Sequence, residues 1–289
     1  MFDQILFPTD GSDGAGEALD HVLDVASDHE ATVHVLNVAD TTHDSVTRIG
    51  GEVVDVLERE GEEFVETAAD RAADRGVATA TEVLQGGVAE TIVAYAEEYG
   101  IDLIAMSTRG RTGFDRLLLG STTERVLRRS TVPVLSLRPD GERARYPYRD
   151  ILVPTDGSEA ADAALDRAAA LASRADATVH VLSVVDIGTV GSEAYSGVDA
   201  LVSGAEDTVA EAAERAADAG AETIETVEVG TSAARGIRSY VDEHDVDLVA
   251  MGTQGRTGVE RFLLGSVAER TIRTVPVPVL TVPDPGEET

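Results

Sequence analysis

The strongest constraint on this 289-residue chain is that it repeats itself. Ile5-Leu-Phe-Pro-Thr-Asp-Gly-Ser12 recurs 146 residues later as Ile151-Leu-Val-Pro-Thr-Asp-Gly-Ser158. Thr32-Val-His-Val-Leu-Asn-Val38 recurs at the same offset as Thr178-Val-His-Val-Leu-Ser-Val184. Solenoid units repeat every 20–50 residues or so, so a period this long predicts two tandem domains. Their expected bounds are 1–140 and 148–289. The join, at about 138–147, is the polar, Pro- and Gly-bearing segment Arg138-Pro-Asp-Gly-Glu-Arg-Ala-Arg-Tyr-Pro147.

Within each copy the hydrophobic period alternates between strand and helix. In the first copy, strands are expected at 3–7, 31–38, 77–84, 101–106 and 132–137. Helices are expected at 13–29 (with Ser12 as its cap), 52–75, 88–99 and 121–129, and residues 39–50 read as a loop. The second copy repeats this, with helices near 159–174, 199–219, 231–244 and 266–274. Alternation of this kind defines an α/β fold in which strands pair in parallel through right-handed crossovers. Each copy is thus read as a five-stranded parallel doubly wound sheet. Such sheets take ligands outside the carboxyl ends of their strands, where the strand order reverses.

Three segments of each copy fall at that edge. The first strand ends in Pro8-Thr9-Asp10, or Pro154-Thr155-Asp156 in the second copy. The second strand ends at Val38, or Val184. The fourth strand ends at Met106, or Met251, both also read as core residues, and runs into a glycine loop and a helix start. The loops are Ser107-Thr-Arg-Gly110-Arg111 onward to Gly120-Ser121, and Gly252-Thr-Gln-Gly255-Arg256 onward to Gly265-Ser266; 12 of the 21 positions from 107 and from 252 are identical. Glycines let backbone N–H groups approach a ligand, and a helix N-terminus adds partial positive charge. Together they form a phosphate cradle. Arg109, Arg111, Arg116, Arg256 and Arg261 add guanidinium groups suited to gripping phosphate, or else pair with surface carboxylates.

The spacing Gly252, Gly255, Gly265, Ser266 resembles the nucleotide-binding pattern of the universal stress protein family, in its ATP-binding form. The first copy departs at one position, reading Ser107, Gly110, Gly120, Ser121. The resemblance covers nearly the whole chain, twice, and implies two tandem Rossmann-like (adenine nucleotide alpha hydrolase-like) domains. It implies that Asp10 and Asp156 accept hydrogen bonds from ribose hydroxyls and that Val38 and Val184 hold the adenine edge. It further implies that Gly252 lets the ribose approach, and that Gly110, Gly120, Ser121, Gly255, Gly265 and Ser266 donate to phosphates. The cofactors expected are ATP and a Mg²⁺ ion bridging phosphate oxygens. Because Ser107 replaces glycine, the second copy is expected to bind at least as tightly as the first. An intrachain pseudo-dimer through the last strands, 132–137 and 277–282, is implied too, with a further homodimer open.

Charge separates the remaining possibilities. The chain carries 54 acidic and 23 basic residues, for a net charge of −31, and every base is arginine. The acids are spread along the helices rather than blocked into a tail, a pattern read here as a halophile's solvated surface. Such a surface repels phosphate backbones, which argues against nucleic acid as a partner. No apolar run approaches the length of a membrane span. The start, Met1-Phe-Asp-Gln-Ile-Leu-Phe-Pro8, lacks the pattern of a secretory leader, so a cytoplasmic protein is expected. No cysteine is present for thiolate chemistry. Without lysine there is no Walker motif, and neither Gly-x-Gly-x-x-Gly after the first strand nor Gly-x-Ser-x-Gly occurs. His34 and His180 occupy matching strand positions and read as structural. Asp102 and Asp247 read as turn or cap residues away from the ligand edge. No dedicated catalytic group stands out. Two alternatives to a stress-response nucleotide binder stay open: a slow ATPase or phosphotransferase acting through Ser121 or Ser266, and an interaction module with relic loops.

Overall fold

The structure, a computed structural model, describes residues 2–41, 51–110, 119–139, 143–188, 197–255 and 264–284, the side chains of 51–55 excepted. The chain divides into two compact units, Met1–Glu142 and Arg143–Thr289. In the first unit the order is β1 (Gln4–Pro8), α1 (Asp13–His29), β2 (Thr32–Asp40), α2 (Gly51–Asp74), β3 (Thr79–Gly86), α3 (Val88–Glu98), β4 (Leu103–Ser107), α4 (Ser121–Arg129) and β5 (Val134–Leu137). The second unit runs β6 (Asp150–Pro154), α5 (Glu159–Ala175), β7 (Thr178–Asp186), α6 (Val198–Asp218), β8 (Glu222–Gly230), α7 (Ala233–Glu243), β9 (Leu248–Gly252), α8 (Ser266–Thr274) and β10 (Val279–Val282).

The strands of the first unit lie in the order β3-β2-β1-β4-β5, and those of the second in the order β8-β7-β6-β9-β10. Every strand pair within a unit is parallel. Order reverses between β1 and β4, and between β6 and β9, and there a crevice opens beyond the strand ends. The central strands are buried on both faces: Ile5, Leu6 and Phe7 in β1, and Ile151, Leu152 and Val153 in β6, are at most 1% exposed. Burial on both faces is why these strands read as continuous apolar runs rather than alternating ones.

Local chemistry fixes the ends. The hydroxyls of Ser12 and Ser158 accept the N–H groups of Ala15 and Ala161 at 3.3 Å, capping α1 and α5. At the opposite edge of the sheet, the Asp102 carboxylate accepts the N–H groups of Asp3 and Gln4 at 3.0 and 3.2 Å. Asp247 does the same for Arg149 and Asp150 at 2.8 and 3.3 Å. Both aspartates therefore pin the start of a central strand, far from the ligand edge. The segment 132–137 enters its strand only at Val134, because the N–H and C=O of Val132 are both taken by the Ser130 hydroxyl, at 3.2 and 2.6 Å. β2 runs on through Asp40, two residues into the segment read as a loop, paired with β3 up to Gly86. Residues 42–50 of that segment lie outside the described residues.

His34 and His180 are each held inside a unit. Nδ1 of His34 lies 3.0 Å from the Tyr95 hydroxyl and Nε2 lies 2.7 Å from Gln4 Oε1. The second unit keeps the tyrosine, Tyr240 at 3.0 Å, and replaces the glutamine with Asp150 at 3.0 Å. Among the described residues no group of three or more His, Cys, Asp or Glu side chains is placed to hold a metal.

Candidate nucleotide site

In the first unit, a cavity of about 600 Å³ lies at the switch point. β1 brings Pro8, Thr9 and Asp10 into it, β2 brings Val38 and Asp40, β4 brings Met106 and Ser107, and the following loop and α4 bring Arg109, Gly110, Gly120 and Ser121. The strand ends, the loop and the helix start predicted from sequence thus meet in one place, although they are up to 113 residues apart, from Pro8 to Ser121. Arg111, Arg116, Arg256 and Arg261 lie outside the described residues.

The turn after β1 sets the position of Asp10. The Thr9 N–H donates to the Leu36 carbonyl at 2.9 Å, and the Thr9 carbonyl accepts from Asn37 Nδ2 at 2.8 Å. Asp10 Oδ1 then accepts the Ser12 N–H at 3.0 Å. Its other oxygen rests on Gly110: a Cβ built there would lie 2.5 Å from Asp10 Oδ2. The second unit repeats this. Thr155 N–H donates to the Leu182 carbonyl at 2.8 Å, Asp156 Oδ1 accepts the Ser158 N–H at 3.1 Å, and a Cβ on Gly255 would lie 2.6 Å from Asp156 Oδ2. The second motif glycine is thus required by the first-strand aspartate, a contact that no local reading shows.

Two features differ from the sequence reading. The amides of Gly120 and Gly265 are not bare, since each donates at 2.8 Å to a loop carbonyl, that of Thr108 or Thr253. What faces the cavity is the first turn of α4, which, like α8, has no side-chain cap. Its N–H groups and the helix dipole are the anion-facing elements. The first motif glycine, Gly252, is held against α5: a Cβ there would lie 2.8 Å from both the carbonyl carbon and the Cβ of Ala160. The first unit differs at both positions. Gly14 stands in the position of Ala160, and Ser107 carries the Cβ. The Ser107 hydroxyl folds onto its own loop, donating to the Arg109 carbonyl at 2.7 Å and accepting the Arg109 N–H at 3.2 Å. Its carbonyl accepts from Thr123 Oγ1 at 3.0 Å.

Of the other predicted residues, Met106 is buried and lines the cavity, and Met251 is equally buried. Val38 is half-buried in the cavity wall, whereas Val184 packs on α7, where a Cβ on Gly236 would lie 2.9 Å from Val184 Cγ2. Pro154 closes β6 opposite Leu182, and Ser266 opens α8. Sequence reasoning missed Leu57, Glu60 and Phe64 of α2, which line the first cavity together with Val88 and Ile92 of α3. The signal was available: 57, 60 and 64 fall on one helical face.

Two doubly wound α/β domains, each with an aspartate at the switch point and a glycine loop leading into an uncapped helix, define a tandem protein of the nucleotide-fold class. The chain belongs to the Universal stress protein family, whose profile matches residues 1–138 and again 147–283. A universal stress protein of Methanocaldococcus jannaschii is 36% identical over 141 residues, covering 48% of this chain and 83% of that protein. One from Bacillus subtilis is 34% identical over 148 residues, 48% of this chain and 100% of that protein. The crystal structure of a universal stress protein from Archaeoglobus fulgidus is similar throughout, with a TM-score of 0.76 at 25% identity, covering 97% of this chain and 98% of that one. No helix among the described residues is long and apolar enough to cross a membrane.

Proposed function

We propose that each unit binds an adenine nucleotide, ATP foremost, and that the protein acts as a nucleotide-responsive regulatory factor in a stress response. The observation that carries this reading is the chemical division of the first cavity. On the β2 and α2 side its walls are apolar with carboxylates: Leu36, Val38, Leu57, Asp40 and Glu60. Carboxylates there suit the hydroxyl and amino donors of a nucleoside. On the β4 and α4 side stand Arg109, Gly110 and the uncapped helix start, which suit a phosphate chain. Asp10 sits between the two, where a ribose would join them. A Mg²⁺ ion would take its oxygens from the phosphates, as this ion does in many nucleotide sites.

Ser107 does not disqualify the first site, because its hydroxyl is bound into the loop through the Arg109 carbonyl and N–H. The test is to purify the protein in molar salt, identify any co-purified nucleotide by mass spectrometry, and titrate ATP by calorimetry. Two bound nucleotides per chain are expected. No heat and no retained nucleotide would defeat the proposal and favour an interaction module. Multiple-turnover phosphate release that disappears in Ser121→Ala would favour an enzyme.

A further inference from the structure

Helix α2 lines the first cavity with Leu57, Glu60 and Phe64, and the matching face of α6 carries different residues. The two helices can be aligned through their buried faces. Val65, Ala68 and Ala72 match Val209, Ala212 and Ala216, all buried, and the glycines ending the two segments, Gly76 and Gly220, both have positive φ. This register puts Thr208 where Phe64 stands and Gly204 where Glu60 stands. The Thr208 hydroxyl is turned back onto its own helix, donating to the Gly204 carbonyl at 2.9 Å. Phe64 is half-buried and lines the cavity. Its ring lies on the backbone of Gly11, next to Asp10: a Cβ on Gly11 would come within 2.3 Å of the ring. Gly11 and Gly157 share the same φ of +73°, so the strand-end turn is the same in both units and the ring is the difference.

A half-buried aromatic ring with one part seated on backbone and another facing a cavity is a rigid, flat, apolar surface. Such surfaces stack on nucleobases, because every base offers a π face. Phenylalanine is scarce here, with five in 289 residues. We propose that Phe64 is a specificity-determining contact of the first site, the platform on which the base of the bound nucleotide stacks. The second site, with Thr208, holds its nucleotide without that platform. The two sites are therefore unequal, with the first the tighter. This inference rests on the nucleotide reading above and reverses the order that Ser107 alone would suggest.

The chain contains no tryptophan, so Phe64→Trp places a single reporter in the first cavity of the full-length protein. Saturating ATP is expected to quench its emission, whereas inorganic tripolyphosphate, which has no base, leaves it unchanged. In a Gly255→Val background, which blocks the second site by displacing Asp156, Phe64→Leu keeps the apolar packing but loses the π face. Equilibrium dialysis should then show first-site affinity for ATP reduced about tenfold or more. Thr208→Phe in a Gly110→Val background should tighten the second site. Unchanged affinity in Phe64→Leu, or equal quenching by ATP and tripolyphosphate, overturns the proposal while leaving nucleotide binding intact. If the unaltered chain retains no nucleotide in dialysis, both fall. A melt of Phe64→Leu matching that of the unaltered chain confirms that lost affinity is not lost folding, and the Phe64→Trp comparison stands independently.

Discussion

Gly252 and Ala160 touch backbone to backbone: a Cβ on Gly252 would lie 2.8 Å from the carbonyl carbon of Ala160 and 2.9 Å from its carbonyl oxygen. No rotamer change relieves a clash with main-chain atoms. Gly252→Ser should therefore destabilise the second unit by about 1–3 kcal/mol, the usual cost of overpacking. Ala160→Gly in the same chain should recover only a part of that loss, because it removes the Ala160 Cβ at 2.8 Å but leaves the carbonyl carbon and oxygen in place. Thermal melts of the two single variants and the double variant give the coupling directly. Additive losses would sink the account.

Gly110→Ala tests the aspartate seat. The added Cβ would lie 2.5 Å from Asp10 Oδ2, the far end of a side chain, so the carboxylate can swing aside at small cost to the fold. It then leaves the position from which it would meet a ribose. ATP affinity of the first site should fall about tenfold or more, equivalent to at least about 1.4 kcal/mol, with little change in melting temperature. Calorimetric titration beside a melt separates the two effects.

His34 predicts a pH response. Burial holds its pKa below the ordinary value of 6.5, and the nearby Glu82 only partly opposes this. Above pH 6.5 the imidazole is neutral folded or unfolded, and contributes no pH dependence. As pH falls below 6.5 the unfolded chain takes up a proton that the folded chain refuses, so this residue's contribution to stability drops until the lowered folded pKa is passed. His34→Gln should flatten the stability profile of the first unit in that window, read by denaturant titration at a series of pH values. The neighbouring Tyr95 stays protonated throughout, its pKa raised to about 12 by burial and by Glu82.

With a net charge of −31, self-repulsion opposes the compact state at low ionic strength. Screening that restores about 3 kcal/mol would raise the melting temperature of units this size by roughly 6–12 °C. Circular dichroism melts in 0.1 M and in molar KCl, about a tenfold step in ionic strength that shortens the screening length from about 10 Å to about 3 Å, should show this rise. A melting temperature indifferent to KCl would exclude a salt-dependent fold.

Much of this could be read from sequence because the signals are local. Ser12 and Ser158 announce their helices by capping chemistry that acts over three residues. The alternation of apolar runs and amphipathic helices fixes the parallel sheet, and the duplication verifies each element against its twin. Asp102 and Asp247 read as turn or cap residues, and their hold on the start of the central strand was not legible, because the N–H groups they accept lie 97–99 residues away. Nor were the roles of the motif glycines. Gly252 also makes room for Ala160, and Gly110 and Gly255 leave room for the carboxylates of Asp10 and Asp156, which lie about 100 residues away in the chain. The amides of Gly120 and Gly265 looked free and are taken by carbonyls 12 residues earlier.

By itself the sequence determined the two domains, their parallel sheets and the segments that reach the ligand edge, because periodicity and capping are properties of neighbouring residues. Only the tertiary structure decided what stands opposite each segment. Packing of α2 across the end of β1 brings Phe64 onto Gly11, and packing of α5 against β9 forbids a side chain at Gly252. Both follow from close approach between elements distant in the chain, a steric constraint that residue types and spacing do not encode.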